Sequence, residues 1–147
     1  MSMMNTPPSS RRVPPSGALG RILVIDDSDL MLQRIGAALT EAGYDVVTTN
    51  QTVGAARHLR GCDLVILDFH MPGLDGATVL KSLKSAAQSS GAHCMFLLYT
   101  SDDAMAKRYA DHGFDGALAR KGSIPDLLPQ LQAMLRIVRM RALKLQR

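Results

Sequence analysis

The chain alternates short, wholly apolar runs with longer segments in which apolar residues recur every three or four positions. The runs Ile22-Leu23-Val24-Ile25 and Leu64-Val65-Ile66-Leu67 are the clearest. Runs of this length bounded by turn signals suit strands covered on both faces, as in a parallel sheet. The first predicted strand, 21–26, leads to a helix over about 28–42, with Ser28 as N-cap, Met31, Ile35, Ala38 and Leu39 on one face and Gly43 at its end. A strand over 46–49 precedes a predicted helix over 52–60, stopped by Gly61. A third strand, 63–68, ends in the turn signal Met71-Pro72-Gly73 before a helix over about 76–89. Then follow a strand over 94–99, a helix over 102–112, a short strand over 116–119 and a final helix. Connections this short between repeated βα units imply right-handed crossovers and an α/β fold with a parallel sheet.

The polar residues that close the apolar runs are candidate chemistry, because open α/β sheets bind ligands at the carboxyl ends of their strands. Asp26 and Asp27 close the first run and Asp68 the third; Thr100 closes the fourth and Lys121 follows the fifth. Three carboxylates brought together repel unless a cation sits among them, and an all-oxygen cage suits Mg²⁺ or Mn²⁺ better than zinc or copper. Carboxylates, a metal, a hydroxyl and an ammonium make a phosphoryl site. Taken alone, Asp26-Asp27 also reads as helix capping. His58, His93 and His112 have no metal-ligand spacing.

These residues resemble the receiver domain of two-component response regulators over roughly residues 20–134. The parts that carry the resemblance are Val24-Ile25-Asp26-Asp27-Ser28, the segment Asp68-Phe69-His70-Met71-Pro72-Gly73-Leu74-Asp75-Gly76, the strand-end Thr100-Ser101 and a late lysine. The resemblance implies a flavodoxin-like (βα)5 sheet of order 2-1-3-4-5. It implies Asp68 as phosphoacceptor, with Asp27, Asp26 (directly or through water), Asp68 and the His70 backbone carbonyl as ligands of Mg²⁺ or Mn²⁺. Thr100 and Lys121 would bind phosphoryl oxygens. Counting from Gly113 places the family lysine at Arg120, whereas counting back from Gly122-Ser123-Ile124-Pro125 places it at Lys121, which is preferred. The fifth-strand slot that usually carries an aromatic switch residue holds Ala117 or Leu118, and Tyr99 reads as a strand residue.

The 147 residues suit one domain, and no apolar stretch approaches the ~18–20 residues of a membrane span. Residues 1–19, rich in Pro and Ser and without the apolar core of a signal peptide, read as a disordered tail. Cys62 and Cys94 lie in or beside strands as small buried thiols, which fits a reducing cytoplasm. Charge is uneven: residues 13–133 hold 10 Lys/Arg against 13 Asp/Glu, and the remainder holds 7 basic and no acidic residues. Five of the seven, Arg136, Arg139, Arg141, Lys144 and Arg147, lie on a basic extension, 135–147, of the last helix. From about Asp126, Leu128, Leu131, Leu135, Val138, Ala142 and Leu145 recur at spacings of three and four, and the continuation of this seam past the domain, at Leu135, Val138, Ala142 and Leu145, predicts packing against a second copy or a partner helix. Pro129 argues that this helix begins near Asp126.

The leading expectation is a stand-alone phosphoacceptor switch, not an enzyme. Its donor would be a histidine kinase or histidine phosphotransfer protein, and its output a partner bound through the surface of the fourth and fifth helices. A phosphate-independent interaction module is the alternative, supported by the missing aromatic. An aspartate-nucleophile phosphatase is weaker, because His70 stands where that family has its second acid. DNA binding is not expected: there is no recognition-helix motif and no aromatic stacking platform.

Overall fold

The computed structural model describes residues 19–69, 73 and 75–145, with the side chains of 138, 139 and 141–145 excepted. The tail expected over 1–19 therefore lies almost wholly outside the described residues. Five parallel strands form one sheet: β1 (Arg21–Ile25), β2 (Asp45–Thr49), β3 (Leu64–Asp68), β4 (Met95–Tyr99) and β5 (Gly116–Leu118). Their spatial order is β2-β1-β3-β4-β5, the 2-1-3-4-5 arrangement. Register is continuous across the centre, with Ile25 opposite Leu67 and Asp68 opposite Tyr99.

The period-two alternation of the strands divides the core into two layers. Ile22 and Val24 of β1, Leu64 and Ile66 of β3, and Leu97 and Tyr99 of β4 face α1 (Asp29–Glu41) and α4 (Ile124–Leu145). Their neighbours Leu23, Ile25, Val65, Leu67, Phe96 and Leu98 face the other way, against Leu80, Leu83 and Ala87 of α2 (Gly76–Ser90). Burial on both faces accounts for the unbroken apolar runs.

Two expected helices are shorter than the periodicity suggests. The segment 52–60 forms only a 3-10 turn, Ala55–His58, because Gly54 enters the left-handed region (φ 83°) and starts the turn late. The segment 102–112 divides into α3 (Asp103–Lys107) and a 3-10 turn, Tyr109–His112, separated by Arg108, whose N–H is shared between the carbonyls of Ala104 and Met105. Conversely, α4 starts at Ile124 and accommodates Pro129. Its first turn closes by Asp126 N–H to the Ser123 carbonyl (3.2 Å), and Gln130 Nε2 donates to the Asp126 carbonyl (3.0 Å) near the bond that proline lacks.

A candidate phosphoryl site at the carboxyl edge of the sheet

Asp26, Asp27 and Asp68 converge where β1 and β3 end. One carboxylate oxygen from each lies within 4.8 Å of the others. The helix cap is not an aspartate but Ser28, whose hydroxyl accepts the Met31 amide at 3.2 Å, so the acidic pair is spared that duty. Asp26 is buried, and its Oδ1 accepts the Ser28 amide at 2.9 Å. Asp68 is buried as well, whereas Asp27 is exposed.

Lys121 lies against this group: its Nζ stands 2.7 Å from Asp26 Oδ2 and 2.9 Å from Asp68 Oδ2. Arg120 turns outward, its side chain 72% exposed and 3.6 Å from Asp126. The loop geometry separates them, because Arg120 adopts a left-handed conformation (φ 56°) that reverses the chain and returns Lys121 over the sheet edge. Burial lowers the affinity of Lys121 for its proton, but the hydrogen bonds and charges of Asp26 and Asp68 outweigh it, so its pKa rises above 10.5. Burial raises Asp26 above 3.8 and the nearby Asp68 charge adds to this, while Lys121 and the Ser28 amide only partly offset the rise.

Thr100 is buried at the end of β4. Its Oγ1 accepts the Asp102 amide at 3.0 Å, which leaves the hydroxyl proton free to donate, and its carbonyl accepts the Lys121 amide at 3.2 Å. Beyond β3, Phe69 packs 5.2 Å from the His112 ring and 5.5 Å from Phe114. Gly76 is required there, since a Cβ would come within 2.6 Å of the Phe69 ring and 2.8 Å of its carbonyl. His70, expected to offer its carbonyl, lies outside the described residues.

The donor set fits a hard divalent cation. All three side chains offer oxygen, and the buried Asp26 Oδ2 and Asp68 Oδ2 already hold a cation, the Lys121 ammonium, between them. The structure brings together the acids, Thr100 and Lys121, which the sequence marks at or just past the ends of apolar runs. Sequence reasoning missed two supports that no run marks: the Tyr99 hydroxyl, which accepts the Gly122 amide at 3.2 Å, and Gln130. The Gln130 amide bonds both the N–H (2.8 Å) and the carbonyl (3.0 Å) of Ala119, as a further strand would.

The family described as "Response regulator receiver domain" matches residues 22–132. The response regulator MprA of Mycobacterium sp. (strain KMS) is 32% identical over 120 residues, and that of Mycobacterium leprae (strain TN) likewise. The first match covers 79% of this chain and 50% of the relative, so the chain spans about half the length of the curated relatives it matches. Among solved structures, the Vibrio cholerae chemotaxis protein CheY4 is 25% identical with a TM-score of 0.66, over 80% of this chain and 99% of that one. A response regulator receiver domain protein from Clostridium thermocellum is 25% identical with a TM-score of 0.62, over 83% and 98%. Sheet order, sequence match and shared fold agree, and the chain belongs to the response regulator receiver domains of two-component signalling.

Proposed function

We propose that this receiver is a phosphoacceptor switch in which Asp68 takes a phosphoryl group from a histidine kinase or histidine phosphotransfer protein. The observation that carries the reading is the convergence of three carboxylates at the carboxyl edge of the sheet, the two buried ones paired with one lysine. An Asp68 oxygen attacks the phosphorus of the donor phosphohistidine; the P–N bond breaks with its electron pair going to nitrogen, and the imidazole leaves neutral, keeping the proton already on its other ring nitrogen. Asp26, Asp27, Asp68 and the His70 carbonyl would hold Mg²⁺ or Mn²⁺, which neutralises charge on the phosphoryl oxygens when bound. Thr100 donates its hydroxyl proton to one phosphoryl oxygen, and Lys121 pairs with another. The product is an acyl phosphate on Asp68.

Output is binding to a downstream protein through the surface of α3 and α4, with the long α4 also serving for contact with a second copy or a partner helix. The phosphate-independent reading is favoured by one observation: Ala117, in the fifth strand, is too small for an aromatic switch. Incubation with a small-molecule phosphodonor and Mg²⁺, followed by intact-mass measurement, separates the two. The phosphoacceptor reading requires a gain of one phosphoryl group in the wild type and none in Asp68→Asn; no gain in the wild type supports the interaction module.

A further inference from the structure

Tyr99 is among the largest fully buried side chains of the molecule, and a buried phenol is costly unless its hydroxyl finds a partner. It closes β4 and packs on the α1/α4 layer with Leu97, Leu118 and Leu127. Its hydroxyl accepts the Gly122 amide at 3.2 Å, while the carbonyl of the next residue, Thr100, accepts the Lys121 amide at 3.2 Å. Two successive amides of the 120–122 loop are thus held by two successive residues at the end of β4. The loop needs such holding, since Arg120 (φ 56°) and Gly122 (φ 101°) both occupy the left-handed region, which is strained for arginine. That reversal is what places the Lys121 ammonium 2.7 Å from Asp26 and 2.9 Å from Asp68.

We propose that Tyr99 is a positioning residue for the phosphoryl site: by holding the Gly122 amide, its hydroxyl fixes the loop so that Lys121 stands between Asp26 and Asp68. The proposal deepens the phosphoacceptor reading and rests on it for its consequence. The same loop enters α4 at Ile124, so a Lys121 that leaves the carboxylates for a phosphoryl oxygen pulls on the Gly122 bond to Tyr99. A buried phenol in contact with the α4 layer can pass on that displacement, which the small Ala117 side chain cannot.

The test uses the full chain without a phosphodonor, so it does not depend on whether Asp68 is phosphorylated. Tyr99→Phe keeps the ring and removes the acceptor. In the wild type the Lys121 ammonium, held by two carboxylates, should give an observable ¹H–¹⁵N signal at low temperature, assigned by its loss in Lys121→Ala. Tyr99→Phe should broaden or abolish it. Because a loosened Lys121 competes less for the carboxylates, Tyr99→Phe should also tighten Mg²⁺ binding several-fold, and should do nothing further in the Lys121→Ala background. An unchanged Lys121 signal in folded Tyr99→Phe, or a Mg²⁺ effect that persists without Lys121, overturns the proposal. Hydrogen exchange of the wild-type Gly122 amide decides the matter if Tyr99→Phe does not fold: protection supports the bond, and exchange as fast as at the exposed Gly73 amide refutes it.

Discussion

Asp26 shows how a site can be built against its own stability. Burial raises its pKa, so ionising it in the fold costs more than in the unfolded chain. That cost is absent below the unfolded value of 3.8, where the group is protonated in both states, and is fully present above the raised folded value. Asp26→Asn should therefore raise the metal-free melting temperature at neutral pH. The gain should vanish as the pH approaches 3.8, and a melting curve that falls at neutral pH would count against the buried-charge account. Lys121 is the partial remedy in the absence of metal. Lys121→Ala should leave Asp68 able to take a phosphoryl group but tighten Mg²⁺ binding, because the competing ammonium is gone. Arg120→Ala, whose side chain is 72% exposed, should change neither. Calorimetric titration of both variants checks the pair, and the reverse pattern would assign the cation to Arg120.

The strands were legible because burial on both faces leaves an apolar run with polar ends, and the runs at 22–25 and 64–67 could hardly be read otherwise. Helices were legible only where a cap and a long apolar stripe agreed, as at Ser28 and α1. Over 52–60 the stripe lacked a start, and Gly54 reduced it to a 3-10 turn. Pro129 misled in the opposite direction: the helix runs through it, and Gln130 Nε2 gives the neighbouring Asp126 carbonyl a side-chain hydrogen bond. Gln130 also completes the free edge at Ala119, two residues before Lys121. Nothing in local pattern marks a glutamine for two such tasks. Gly76 is legible only after Phe69 is placed over it. Gly76→Ala should shift Phe69 and destabilise the fold by about 1–3 kcal/mol, measured by urea unfolding, since overpacking at a rigid contact costs that much. An unchanged midpoint would mean that the β3–α2 loop yields freely.

At the scale of the whole molecule, an acidic body carries a basic helix that runs on to Leu145. Of the body-facing residues of α4, buried Leu131 and half-buried Leu128 and Leu135 were readable from their spacing, whereas Leu127, buried more deeply than Leu128, was not part of it. The continuation at Val138, Ala142 and Leu145 falls on side chains outside the described residues. Within them, Ile137 (41%) and Met140 (62%) stand exposed, a reason for the extension to seek a partner. Removal of residues 139–147 should leave labelling of Asp68 intact while reducing self-association or partner capture; sedimentation and pull-down both unchanged would make the extension a solvated helix end. No described helix is long and apolar enough to cross a membrane. The central claim, that Asp68 in the carboxylate cage accepts a phosphoryl group from a donor with the help of a divalent cation, is tested most directly by peptide mapping after borohydride reduction of the acyl phosphate. Protein labelled with a small phosphodonor in Mg²⁺ should carry the reduced residue at position 68 alone, and protein treated in excess EDTA should carry almost none. A mark at Asp26 or Asp27, or full labelling in EDTA, would contradict it.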